Sequence, residues 1–210
     1  MNLVFDTLKE IFNRNKFRLF MIGSTSRDYL LNNEINDYDF VTDATPEEVK
    51  KFLDVDMTFA KFGSVKYYLN DNKIDIVTLR EEGDYEDKRH PSYIKFIKDI
   101  NVDYKRRDFT INAIYIDENY AVQDISKTGE EDLFNKRLRF IGEPEKRIKE
   151  DPLRILRAKR FIIEYELFID ETTKEIIHKN LYLLKYISKG KLEEENRKLE
   201  MVSGGKDYEF

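Results

Sequence analysis

The apolar run from Phe17 to Ile22 ends at Gly23-Ser24, and Asp37-Tyr38-Asp39 follows soon after. The apolar run reads as a strand, and the small pair after it as a tight turn. Asp37 to Thr42 alternates as a second strand. Residues i and i+2 of a strand share a face, so Asp37 and Asp39 are expected to stand side by side. Two close carboxylates repel unless a cation lies between them. Hard oxygen donors suit Mg²⁺, which takes one or two carboxylates together with substrate phosphates. A turn of small residues beside them lets backbone N–H groups approach a phosphate. The pattern points to transfer of phosphoryl or nucleotidyl groups.

Composition narrows the rest. The chain has 210 residues, 40% hydrophobic and 38% charged, with 15 Phe, 13 Tyr and no Trp. That is enough for one ordinary domain and an appendage. There is no cysteine, which excludes disulfides, thiolate metal sites and a thiol nucleophile, and fits a cytoplasmic location. With two histidines only, His90 and His178, a histidine zinc site is not expected. Both read as surface residues. No apolar stretch reaches the length of a membrane span, and the first residues carry no signal-peptide pattern. The net charge of −5 means that nucleic acid could be bound only through a local basic patch.

Hydrophobic periodicity predicts a helix over residues 2–14 and a helix capped by Ser26 that runs to Leu31. Thr45-Pro46-Glu47-Glu48 is a helix start. Gly63 to Leu69 and Lys73 to Leu79, joined by Asn70-Asp71-Asn72, form a hairpin. Residues 81–91 read as a polar, mobile loop and Tyr93 to Ile97 as a strand. Arg106-Arg107-Asp108-Phe109-Thr110-Ile111-Asn112-Ala113 passes from a helix into a strand over Ala113 to Ile116. Helices then dominate, over 145–149, 152–163, 172–186 and 192–201. The expected class is α+β: a head over residues 1–140, with a mixed sheet of about five strands and flanking helices, then a helical neck over 141–210.

Five segments occur in order: Ile22–Asp28 (IGSTSRD), Asp37–Phe40 (DYDF), Lys73–Arg80 (KIDIVTLR), Arg106–Ala113 (RRDFTINA) and Glu150–Phe161 (EDPLRILRAKRF). Together they resemble the class II tRNA nucleotidyltransferases and bacterial poly(A) polymerases of the polymerase-β-like superfamily. The resemblance covers roughly residues 17–165. It implies that Asp37 and Asp39 hold Mg²⁺ and that Asp75 is a third catalytic carboxylate. It also implies that Gly23, Ser24 and Arg27 cradle the triphosphate. Arg107 and Asp108 would contact the ribose 2′-hydroxyl, with Asn112 holding that turn. Asp151 and Arg154, at i and i+3, would read the incoming base, and Arg157 would reach the triphosphate or brace them.

The implied reaction adds C and A from CTP and ATP to the 3′ end of tRNA without a template. Poly(A) or A-only addition remains open, as does a non-catalytic NTP- or RNA-binding subunit. Family members carry further body and tail domains, so a second copy or a partner chain supplying them is a further expectation. Residues 81–91 fit the family's flexible loop. The stretch from Lys136 to Arg160 holds ten Lys or Arg against four acids, and is the expected RNA-facing surface.

Overall fold

The computed structural model describes residues 2–85 and 91–204. Internal contacts divide the chain into two compact units, one of residues 1–82, 94–107 and 111–130, the other of 83–93, 108–110 and 131–210.

The first unit is α+β, as expected. Helix α1 (Leu3–Arg14) starts where the Asn2 side chain accepts from the Phe5 N–H. It leads into β1 (Leu19–Met21), α2 (Gly23–Leu31) and β2 (Tyr38–Thr42). Helix α3 (Pro46–Val49) begins at a complete capping box between Thr45 and Glu48, with Pro46 in its first turn. The hairpin of β3 (Ser64–Leu69) and β4 (Asn72–Thr78) follows. Asn72 belongs to the strand, so the turn shortens to Asn70-Asp71, with Asn70 at φ 54°. Next come β5 (Arg80–Glu82), β6 (Ile94–Phe96), α4 (Ile100–Asp103), β7 (Ile114–Ile116) and β8 (Val122–Asp124).

Six strands form one sheet in the order β3-β4-β2-β1-β7-β8, and β5 and β6 form a separate antiparallel pair. Within the six, β2 and β4 run parallel, and every other pair is antiparallel. One face of the sheet supplies Leu19, Met21, Phe40, Ile74, Ile76 and Ile116 to a core completed by Val4, Phe5, Leu8 and Phe12 of α1. Each fully buried Phe there contributes about 1.5–3 kcal/mol. The other face carries Phe20, Val41 and Tyr115 to a smaller cluster with Leu79 and Ile100. Strand alternation places Asp39 with Val41 on this second face.

Several boundaries differ from expectation. Helix α2 starts at Gly23, and Ser26 does not cap it: the Ser26 hydroxyl donates to the Gly23 carbonyl inside the first turn. Residues 81 and 82 are strand, and Tyr85 bridges to Pro91. Residues 86–90, including His90, lie outside the described residues. The Arg106–Ala113 segment forms two short 3₁₀ turns, Tyr104–Arg106 and Thr110–Asn112, before β7.

Helix α5 (Gly129–Phe134) is followed by the helices of the second unit: α6 (Pro144–Glu150), α7 (Leu153–Glu164), α8 (Glu171–Asn180) and α9 (Lys189–Ser203). Phe109, Phe140 and Phe161 form its aromatic centre, with ring centroids 4.8 Å and 5.8 Å apart. The single helix expected over 172–186 is split. Buried Asn180 donates to the Ile176 carbonyl at 2.8 Å, competing with the helix backbone, and Leu181–Tyr186 continues as a 3₁₀ turn. Helix α9 runs through Gly190 from Lys189, earlier than expected. His178 is exposed on α8.

Candidate active site

In the first unit the site is built at the start of α2. Gly23 adopts φ +61°, a conformation that L side chains rarely take. A Cβ there would sit 2.8 Å from Asp39 Oδ2. Glycine therefore lets the helix start close over the carboxylate. Ser24 turns both its N–H (3.3 Å) and its hydroxyl (2.8 Å) onto the same Oδ2. Thr25, not singled out from sequence, accepts from the Asp39 N–H at 2.6 Å and donates to the Asp37 carbonyl at 3.0 Å. Ser24, Thr25 and β2 thus fix Asp39 from side chain and backbone together.

Asp39 is the register partner of Asp75 across the parallel β2–β4 pair, so the two carboxylates share a face of the sheet. Asp75 also meets the Lys73 ammonium at 3.4 Å. Burial raises the proton affinity of the Asp39 carboxyl. The Ser24 hydroxyl and N–H and the Arg27 charge oppose that shift, and Asp75 adds to it. Asp37, expected beside Asp39 on one strand, precedes the strand. Asp37 is exposed, at a bend one residue before β2. Its carbonyl accepts from the Ser24 and Thr25 hydroxyls rather than joining the ladder.

The donor chemistry fits a hard divalent cation. Two carboxylates lie in register on one face, and the burial of Asp39 leaves its negative charge costly until a cation offsets it. Among the described residues, no group of three or more His, Cys, Asp or Glu side chains is gathered so as to hold an ion by itself.

Arg27 is buried, and its guanidinium donates to the Asn112 side-chain oxygen. Asn112, expected to hold the turn after Arg107, is therefore tied to α2. Arg107 is fixed by Asp103, whose carboxylate lies 2.9 Å from its terminal nitrogen, and by the Tyr115 hydroxyl at 3.0 Å. Asp103 and Tyr115 were missed from sequence. The available signal was the i,i+4 spacing of Asp103 and Arg107.

The second unit holds the remaining candidates. Asp108, adjacent in sequence to Arg107, receives both the Arg157 Nε and a terminal Arg157 nitrogen at 2.7 Å. Although burial works against it, Asp108 raises the Arg157 pKa still further. Asp151 does not share a helix with Arg154. It is extended (φ −143°, ψ 97°) in the break between α6 and α7, and its carboxylate accepts from the Leu153 N–H at 3.1 Å. Pro152 disfavours helical backbone at the preceding residue, so the break was legible as Asp-Pro. Arg154 is buried and donates to the Arg147 carbonyl at 2.7 Å and to Glu150 at 3.0 Å.

The basic excess of 136–160 is largely neutralised. Lys136, Arg139, Arg147, Lys149, Arg154, Arg157 and Arg160 each pair with an acid. Those acids include Asp108, Asp132, Glu166 and Glu195, outside the stretch. Partners distant in sequence therefore absorb much of the charge that the sequence shows in this stretch.

Comparison with known proteins adds an independent line. The family model of the poly A polymerase head domain matches residues 19–139. The CCA-adding enzyme of Listeria monocytogenes serotype 4b is 39% identical over 173 residues, covering 82% of this chain and 44% of that protein. The crystal structure of Bacillus stearothermophilus CCA-adding enzyme in complex with CTP aligns with a TM-score of 0.83 at 31% identity. That alignment covers 95% of this chain and 49% of that one. The Thermotoga maritima CCA-adding enzyme complexed with tRNA aligns with a TM-score of 0.72 at 26% identity, covering 94% and 46%. The chain thus spans about half the length of the curated relatives it matches.

Proposed function

Since the chain belongs to the poly A polymerase head domain family, we propose that it is a Mg²⁺-dependent, template-independent nucleotidyltransferase that adds C and A to the 3′ end of tRNA. The observation that carries this reading is the register of Asp39 with Asp75 beneath the Gly23–Ser24 start of α2. The similarity to CCA-adding enzymes, one crystallised with CTP and another with tRNA, supports the choice of substrates.

In this reading residues 1–140 form the catalytic head and residues 141–210 a nucleotide-selecting, RNA-binding neck. Asp37 and Asp39 hold Mg²⁺, with Asp75 as the third carboxylate. Bound there, Mg²⁺ would make the RNA 3′-hydroxyl easier to deprotonate and offset the charge of the departing pyrophosphate. Gly23 and Ser24 give the triphosphate close access to backbone, and Arg27 supplies a fixed positive charge behind them. Arg107 and Asp108, with Asn112 bracing the turn, favour a ribose over a deoxyribose, because polar groups built to meet a hydroxyl are left unpaired without it. Asp151, Arg154 and Arg157 select the base: a carboxylate accepts from the exocyclic amine shared by C and A, and a guanidinium donates to ring or carbonyl acceptors. No helix among the described residues is long and apolar enough to cross a membrane, and a cytoplasmic enzyme fits that.

The test incubates the chain with tRNA ending before CCA and with labelled CTP, ATP or both. Sequential C and A incorporation is expected. Growth with ATP alone on any RNA identifies a poly(A)-type enzyme instead. Nucleotide binding without incorporation identifies a binding subunit.

A further inference from the structure

Asp103, at the end of α4, is completely buried and its two oxygens are divided between two tasks. Oδ1 accepts from the backbone N–H of Arg80, the first residue of β5, at 3.0 Å and from Arg106 Nε at 2.8 Å. Oδ2 accepts from the Tyr115 hydroxyl at 2.7 Å and from Arg107 Nε at 3.1 Å. The triangle closes, because Arg107 Nε also donates to the Tyr115 oxygen at 3.0 Å. The Arg107 guanidinium lies 5.3 Å from the centroid of the Tyr115 ring. Tyr115 is itself fully buried and packs edge-on against Phe20, with ring centroids 6.2 Å apart. A second carboxylate extends the network. Glu82, at the far end of β5, receives Arg80 Nε at 2.8 Å and lies 3.7 Å from Arg106.

We propose that Asp103, acting with Tyr115, is a positioning residue that holds the Arg107 guanidinium in one orientation and anchors it to the start of β5. A guanidinium on a long side chain has about 2 kcal/mol of rotamer entropy to lose. A site that distinguishes two sugars by one hydroxyl needs its donor in place before the nucleotide arrives. The Asp103–Tyr115 pair supplies that order from one side of Arg107, while the Asn112 carbonyl accepts from its other terminal nitrogen at 3.5 Å. Because Oδ1 of the same carboxylate holds β5, a shift of that strand would be felt at Arg107. The inference rests on the reading of Arg107 as a ribose contact.

The experiment measures dissociation constants of CTP and dCTP for the whole chain in Mg²⁺, with thermal unfolding recorded for every variant. Tyr115→Phe keeps the ring and its packing but removes the hydroxyl from the triangle. Asp103→Asn keeps the shape and removes the charge. Both are expected to lower the CTP-over-dCTP preference by roughly tenfold, with Arg107→Gln lowering it at least as far. Should Asp103→Asn fail to fold, Tyr115→Phe decides alone. The proposal is overturned if the folded variants keep the wild-type preference while Arg107→Gln loses it. In that case the network braces the fold and does not tune recognition. A wild-type preference that survives Arg107→Gln overturns the ribose reading of Arg107 itself, and the positioning role with it.

Discussion

Asp39 and Asp75 face each other in register on adjacent parallel strands. Parallel pairing brings together residues far apart in sequence, here joined through α3 and the β3–β4 hairpin. The arrangement sets two like charges on one face, with Asp39 pressed under the start of α2. Folding alone does not favour such a pair, and a cation removes the penalty.

Magnesium is therefore expected to stabilise the wild-type chain in a thermal unfolding series and to lose most of that effect in Asp39→Asn. Asp39→Asn is also expected to abolish nucleotide incorporation while keeping the fold, since asparagine can still accept from Ser24. An equal magnesium-induced shift in both proteins would remove Asp39 from the cation site.

Gly23→Ala tests the turn. The new methyl group would meet Asp39 Oδ2 at 2.8 Å, and the backbone would be held at φ +61°. A left-handed conformation costs an L-residue roughly 1–2 kcal/mol. Denaturant unfolding should show a loss of at least that size, together with a fall in activity out of proportion to it. A variant as stable and active as wild type would show that α2 can start elsewhere.

A pH dependence follows from Asp103. Burial would raise its pKa, but Arg106 and Arg107 pull it well below the ordinary carboxylate range, helped by the Arg80 N–H and the Tyr115 hydroxyl. Its folded pKa lies below its unfolded value of about 4, so its stabilisation is complete above that pH and is lost as the pH falls further. The stability gap between wild type and Asp103→Asn should therefore be widest near neutrality and narrow below about pH 4. A gap that stays constant down to acid pH would contradict the assignment.

In the second unit, Asp108 and Arg157 form a forked ion pair, with both nitrogens 2.7 Å from one carboxylate oxygen. A double-mutant cycle with Asp108→Asn and Arg157→Gln, read by chemical denaturation, should give a coupling of about 1–3 kcal/mol. A coupling near zero would make the contact incidental.

The parts of this architecture that could be read from sequence are those governed by local chemistry. Thr45 to Glu48 announced a capped helix start, and Asn70-Asp71-Asn72 announced a hairpin. The five ordered segments identified the family. What sequence did not disclose depends on partners far along the chain. The acids that neutralise the 136–160 stretch include Asp108 and Glu195, which no local pattern connects to it. Asp151 illustrates a different limit. Helical spacing suggested a shared face with Arg154, yet Pro152 acts on the backbone before spacing can matter. The start of α2 was missed because the Ser24 N–H in its first turn is satisfied by Asp39, a residue on the following strand, and no side chain caps the helix locally.

The hairpin carries a last implication. Strand side chains alternate between faces, so the count of residues between the Asn70–Asp71 turn and Asp75 works as a parity bit. One residue inserted in β4 ahead of Asp75 would rotate that carboxylate toward the α1 side and bring Ile74 or the inserted residue to its place. Insertions in pairs would preserve the geometry. Length changes in this segment are thus expected to be tolerated only in even steps wherever Asp75 is needed opposite Asp39.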